Sequence, residues 1–399
     1  MKKHYLSLIA FLVCINPGYS QDTVIEYNLE TLSVIEIFPV PIDTSIHFEN
    51  TAFSVGLLGN QILLNLSPPT TNLFPGTNFC DIERAAKFHD VTSFPFRTAI
   101  KLFGWKDDTL HHNCSGIMVS ENFVLTSAHC LYSFVTQSWQ YDSMHVWPGY
   151  DNGIPNEQLP ASTVEKIYVF KSFLNKPLSN DIALLKLKKP IGQQIGWIGI
   201  AFSEDTIFFS EKVIHKLSYP SAPNPINPSL VYNGDTLYYN YGWIDVIGPY
   251  LGLMSTSAVG IPGQSGSSLF YTDNTEYYSF GVFSFASQYK HYQFTNKSYS
   301  QFKSIILTNP SGIFETDVKN FLKISPNPAG KFCYVESTEP VHSGMTLQIM
   351  DVYGRVKMMS GNISTNRVRV DLENLKSGIY FINVLINNNV HSGSKLIIK

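Results

Sequence analysis

The sequence predicts an all-β protein, and three observations carry that prediction. Aromatic residues make up 14% of the 399 residues, with 22 Tyr and 27 Phe, and such side chains favour pleated, half-buried surfaces. From about Phe96 onward the chain divides into short apolar segments bounded by Gly, Pro, Asn or Asp. That is the pattern of a barrel or a sandwich. A turn-rich break, ISPNPAGK (Ile324–Lys331), then separates this long stretch from a shorter second set of strand-like segments. The second set has the size of a small β-sandwich.

Taken in order, the chain opens with Lys2 and Lys3, the apolar run YLSLIAFLVCI and the small residues Gly18 and Ser20. This is the layout of an export leader cut before Gln21. Cys14 does not make it a lipoprotein leader, because Val13 stands where a small residue is required. Residues 21–79 hold VIEIFPVPI and the turn-rich SPPTTNLFPGTN, and are expected to form a removable pro-segment and linker. Residues 80–322 hold the main run of strands. They are FRTAIKLF, SGIMVS, NFVLTSA, MHVWPGY, VEKIYVF, DIALLKL, KVIHKLSYP, TLYYNYGWIDVI, SLFY and FGVFSFAS. One helix is expected near the end of this part, opened by Pro310 and Ser311, with Ile313, Val318, Phe321 and Leu322 on one side. Residues 323–399 carry TLQIMDVYG, RVKMM, NRVRVDL, GIYFINVLI and SKLIIK.

The bulk numbers narrow the function. Hydrophobic residues are 44% and charged residues 15% of the chain, enough apolar surface for a sizeable core. The net charge of −3 argues against nucleic acid or an anionic membrane as partner, since neither attracts a near-neutral chain. Beyond the leader no run reaches the ~18 apolar residues of a membrane span. A monomer is expected. With Cys14 removed, Cys80, Cys114, Cys130 and Cys333 remain, none in a C-x-x-C pair. An exported chain meets an oxidising compartment, so these residues are candidates for disulfides rather than for a zinc cluster.

Three fragments carry chemistry. In GIPGQSGSSLF, Gly263 and Gly266 flank Ser265. Glycines there let the backbone turn tightly, project the hydroxyl and direct nearby N–H groups towards it. The Gly263 and Ser265 amides could hold the oxyanion of an acyl-transfer intermediate, where one donor is worth about 2.7–4 kcal/mol. The nucleophile elbow G-x-S-x-G is excluded, because Ser267 stands where its second glycine would be. A serine hydroxyl needs a base, and the base needs a carboxylate. His129, in LTSAHC at the end of an apolar strand, can be held rigidly; His111 and His112 lie in a polar loop. Cys130 follows Cys114 by 16 residues, and a hairpin of that length returns its ends to disulfide reach, pinning the histidine loop. Asp181 opens the buried strand IALLKL, where a carboxylate is costly unless paired. Alone, each fragment could be a turn serine, a core histidine or a strand-start aspartate. Together they run His, Asp, Ser.

These three blocks, TSAHC, NDIALLKL and GQSGSS, resemble the signatures of trypsin-like (chymotrypsin-fold) serine proteases. FPFRTAIKLF, VWPGYDNG, KIYVF, LSYPS and LYYNYGWID are similar to the bacterial glutamyl-endopeptidase-type branch. The resemblance covers roughly residues 80–322. It implies two six-stranded barrels with the site in the cleft between them. It also implies His129 as general base, Asp181 as its orienting acid and Ser265 as nucleophile, with no metal or organic cofactor. Gln264 stands where animal digestive proteases carry an aspartate that pairs with a freshly cut N-terminus, so that activation switch is absent. Val259 stands at the expected base of the specificity pocket, lined by Ser284, Phe285 and Ala286. With no acid at Val259 and no histidine in the lining strand, an apolar or aromatic preference is expected. ISPNPAGK, DVYGRVK, LENLKSGIYFINV and KLIIK resemble a type IX secretion C-terminal sorting domain, implying outer-membrane translocation by that machinery and release or attachment at the cell surface. The expected function is a secreted serine endopeptidase acting on proteins or peptides. A catalytically silent adhesin or binding protein of the same fold, and an esterase with the same triad, are the alternatives.

Overall fold

The structure is a computed structural model that describes residues 22–39, 55–64, 79–176, 179–203, 205, 208–209, 212–244, 246–248, 253–255, 260–272, 276–285, 290–309, 322–337, 345–351, 356–361, 365–386 and 389–399. Its strand-rich body and C-terminal pair of sheets are the all-β arrangement that the sequence predicts.

The first sheet closes on itself. Ala183–Leu187 pairs with Phe123–Thr126 on one edge and with Ser162–Phe170 on the other. Thr109–Met118, Ala99–Lys106 and Ser143–Pro148 complete the six-stranded ring. Much of the ring, such as Phe123–Thr126 and Ala183–Leu187, is buried on both faces, and alternation sends neighbours into different cores. Val124, Ile167, Val169, Ala183 and Leu185 fill one cluster. Phe123, Leu125, Tyr168, Phe170 and Leu184 fill another, shared with the second sheet. Two further strands join this ring from the expected pro-segment. Val24–Asn28 pairs with Ser162–Phe170, and Val34–Ile37 pairs with Val24–Asn28.

The second sheet has nine strands, among them Ile214–Ser218, Tyr238–Gly242, Ser268–Thr272, Tyr277–Phe285 and Lys290–Gln293. Leu217, Tyr219, Phe270, Tyr277, Val282 and Tyr292 pack into the cluster shared with the ring, so one apolar seam joins the two halves.

The described helix of this region is Asn296–Thr308, earlier than the one expected; residues 310–321 lie outside the described part, and Leu322 opens a strand. Thr295 and Ser298 cap the helix reciprocally. Tyr299, Phe302 and Ile305 turn inward, with Phe302 stacked on Phe170 at 5.0 Å and Tyr299 against Phe202 at 4.9 Å.

Residues 322–399 form a three-stranded and a four-stranded sheet around their own core, which includes Leu322, Cys333, Val335, Leu347, Ile349, Ile382, Val384 and Leu396. Cys80 and Cys333 are free and buried.

Candidate active site

The histidine loop begins where Phe123–Thr126 ends. Ser127 and Ala128 are fully buried, and their small side chains let the short helical turn Ala128–Cys130 press into the body. Ser127 Oγ donates to the Phe283 carbonyl at 2.7 Å. Cys130 is bridged to Cys114 with a Cα–Cα separation of 6.2 Å, the pairing expected from the 16-residue spacing. Gln140 Nε2 donates to the His129 carbonyl at 2.8 Å.

Asp181 holds His129 twice. The His129 backbone N–H donates to Oδ1 at 2.8 Å, and ring Nδ1 lies 2.7 Å from Oδ2. The carboxylate is 1% exposed and the ring 33% exposed. With a carboxylate at Nδ1, the proton is assigned to that nitrogen, leaving Nε2 as the free base. Burial pulls the imidazole pKa down, but the charge of Asp181 and its hydrogen bond outweigh that, and the net value is raised.

Asp181 is itself anchored. Asn180 before it sits at φ +50°. Its amide nitrogen donates to Asp22 Oδ2 and to Ser172 Oγ, both at 2.7 Å, and its oxygen accepts from the Tyr292 hydroxyl. Ser284, expected in the pocket lining, donates its hydroxyl to the Asp181 carbonyl at 3.2 Å. Val259 and Ala286 lie outside the described residues, as does the side chain of Phe285.

The serine loop is shaped by glycines that nothing larger could replace. Gly263 has φ +91°, and a Cβ there would meet the Tyr219 carbonyl oxygen at 2.4 Å. Gly266 has φ +82°, and its Cβ would lie 2.1 Å from Thr126 Oγ1 and 3.0 Å from the Ser127 nitrogen. The turn bearing Ser265 is therefore seated against the start of the histidine loop. Gln264 N–H donates to the Ile261 carbonyl and Gly266 N–H to the Phe283 carbonyl. Among the described residues the N–H groups of Gly263 and Ser265 have no acceptor. Two free amides beside a serine can receive an oxyanion. Among the described residues no hydrogen bond links the Ser265 hydroxyl to the His129 ring; apo sites commonly tighten this contact only with substrate.

Gln264 is completely buried. Its Oε1 accepts from Ile261 N–H at 2.9 Å and its Nε2 donates to Ser218 Oγ at 3.0 Å. The loop is thus braced from within.

The sequence did not reveal Ser115. Its N–H donates to the Ser265 carbonyl at 2.8 Å, its hydroxyl donates to the Gly263 carbonyl at 2.8 Å, and Tyr219 N–H donates to that hydroxyl at 2.9 Å. Its one sequence signal is its place after Cys114, as a small polar residue just before the apolar end of the strand Thr109–Met118. Asn180 and Asp22 were also missed. Two other described histidines, His215 and His291, are core residues. His215 bonds the Tyr239 hydroxyl at 2.7 Å, and burial pushes it down to about 3. His291 is fully buried, and burial followed by the charge of Lys216 drives its pKa far down.

Residues 87–212 match the Trypsin family, and residues 323–399 match the Secretion system C-terminal sorting domain. Mouse (Mus musculus) complement factor I is 30% identical over 106 residues, covering 26% of this chain and 16% of that protein. Rat (Rattus norvegicus) chymotrypsin-C is 32% identical over 101 residues, covering 25% and 34% respectively. The chain thus spans far less than two thirds of these relatives. A solved glutamyl endopeptidase, in complex with MPD, matches with TM-score 0.43 and 17% identity, covering 56% of this chain and 95% of that one. The chain carries a trypsin-family domain followed by a secretion-system C-terminal sorting domain, which marks it for secretion or attachment at the cell surface.

Proposed function

We propose that the body, residues 80–322, is a serine endopeptidase, exported with the sorting domain 323–399 as its address to the type IX machinery. In the proposed cycle Ser265 Oγ attacks the scissile carbonyl while His129 Nε2 takes its proton. Asp181 stabilises the imidazolium that results. The negative charge on the carbonyl oxygen is received by the Gly263 and Ser265 N–H groups. His129 then gives its proton to the leaving amine, the C–N bond breaks, and an acyl-enzyme remains on Ser265. Water, deprotonated by the same imidazole, hydrolyses the ester and restores the hydroxyl.

The observation that carries this reading is the double hold of Asp181 on His129, at 2.8 Å to the backbone and 2.7 Å to the ring. A histidine serving only packing does not need a carboxylate buried for it, since burying that charge is costly. The test is labelling with a fluorophosphonate, which reacts with activated serines. Labelling together with hydrolysis of a peptide library, both lost in Ser265→Ala, supports the proposal. Absence of labelling in folded, secreted protein would sink it, and hydrolysis of simple esters without peptides would redirect it to an esterase.

A further inference from the structure

Residues 21–79 read in the sequence as a removable pro-segment, but the described parts of that segment are built into the catalytic body. Val24, Ile25, Tyr27 and Leu29 are buried, and Tyr27 stacks on Trp139 at 4.3 Å. Glu26 pairs with Lys166 at 2.8 Å. The strand Val24–Asn28 runs along Ser162–Phe170, whose other edge carries Ala183–Leu187, the strand that Asp181 leads into.

A second tie lies at residues 55–64. Leu57 N–H and Leu58 N–H donate to the Gln193 and Gln194 carbonyls at 2.8 and 3.0 Å. Arg97 is completely buried, and among the described residues no carboxylate pairs with it. Four carbonyls solvate its guanidinium: Ile195 at 2.6 Å, Thr92 at 2.9 Å, and Val55 and Gly59 at 2.5 Å each. Burial lowers its pKa to about 10, so the group stays charged at neutral pH. Loss of residues 55–59 would strip a buried cation of two of its acceptors, among the most destabilising changes a core can suffer.

Asp22 makes the third tie, and it leads to the site. Its Oδ1 accepts from Ser172 N–H at 3.1 Å and its Oδ2 from Asn180 Nδ2 at 2.7 Å. Asn180 is the residue, in left-handed backbone, that aims Asp181 at His129. The leader cut expected before Gln21 would leave Asp22 second in the mature chain. Gln264 meanwhile braces the serine loop without any incoming terminus.

We propose that the described segments 22–39 and 55–64 are a permanent part of the catalytic body, and that Asp22 is a positioning residue that acts through Asn180 to orient Asp181. The second half of this rests on the protease reading above; the first does not.

Two measurements test it. Active secreted protein, separated by size and analysed by intact mass and N-terminal sequencing, should contain residues 22–64 and begin at Gln21. Fully active material lacking them would overturn the proposal. In the chain beginning at Gln21, Asp22→Ala should lower kcat about tenfold with KM within about twofold. Asp22→Asn, whose single amide oxygen can still accept from Asn180 while its NH2 faces the Ser172 N–H, should restore only part of it. The acid limb of the pH–rate profile should also move to lower pH in Asp22→Ala, because His129 loses part of the carboxylate influence that raises it. A merely unstable variant would lose fluorophosphonate-titratable sites without moving that limb, and that result, or an unchanged kcat, would overturn the positioning role. If wild-type protein hydrolyses no peptide, the protease reading and the positioning role fall together, while the mass measurement still decides retention of residues 22–64.

Discussion

The half of the body that bears His129 and Asp181 and the half that bears Ser265 hold these residues in different proportions from within and from across the seam. In the first, a closed ring of strands, a disulfide and a buried carboxylate hold the imidazole mainly from within its own half, with Phe283, Ser284 and Tyr292 of the second sheet adding hydrogen bonds across the seam. In the second, the serine sits on a turn outside any strand, and much of its anchoring comes from across the seam. Ser115, from the ring, binds the Ser265 and Gly263 carbonyls, and Gly266 lies against Thr126 and Ser127. The strand that carries Ser115 also carries Cys114. One strand therefore registers the His129 loop through the disulfide and the Ser265 turn through its next residue. The lesson is that the Ser265 turn is placed in good part by the neighbouring half.

The largest way to break this comparison acts inside the first half. Asp181→Asn should lower kcat by on the order of 10⁴-fold with the fold intact, because the amide can favour the wrong imidazole tautomer. The sign of the pH effect follows from the raised pKa of His129. Activity needs the neutral ring and so appears as pH rises through that pKa. Removing the charge of Asp181 lowers it, and the residual activity should switch on at lower pH. Steady-state kinetics across pH will read both.

Gly266→Ala strikes the seam itself. The added methyl would meet Thr126 Oγ1 and the Ser115 carbonyl within about 2.2 Å, and the backbone there has φ +82°. Displacement of the serine turn by about 1 Å should lower kcat/KM about 100-fold while leaving the circular dichroism of the strands unchanged. Replacing both Cys114 and Cys130 by Ala should destabilise the body by about 3 kcal/mol, measured by denaturant unfolding. Ser115→Ala should cost about 1–3 kcal/mol through the buried Tyr219 N–H and Gly263 carbonyl left unpaired. It should also slow fluorophosphonate labelling of Ser265, which would sharpen the claim that the ring places the serine. The smallest effect is expected from removing residues 323–399. Their core is self-contained, so the kcat of the body should stay within about twofold, as expected for regions that share no core.

Much of this was legible in the sequence where a pattern repeats. Alternation in NFVLTSA and IALLKL marked the ring strands, and the break at ISPNPAGK marked the second body. His129, Asp181 and Ser265 stood out because glycine, cysteine and apolar neighbours frame them. Ser115, Asn180 and Asp22 did not stand out, since each acts through a few hydrogen bonds that leave no periodicity. Helix Asn296–Thr308 was passed over because its cap is Thr295 with Ser298 in place of the acidic residue of the usual capping box. Its inward stripe of Tyr299, Phe302 and Ile305 is also interrupted by polar residues. Residues 24–28 were read as expendable because they precede a turn-rich stretch; their pairing partner lies about 140 residues away.

Among the described residues two cysteines are unpaired beside one bridge, and they bear on how that bridge persists. Burial pushes the thiols of Cys80 and Cys333 up to about 11. At neutral pH only about one molecule in ten thousand then carries the thiolate at either position. An ordinary thiol shows a few per cent. Attack on a disulfide needs that thiolate, so burial disfavours attack on the Cys114–Cys130 link by either of these folded sulfhydryls.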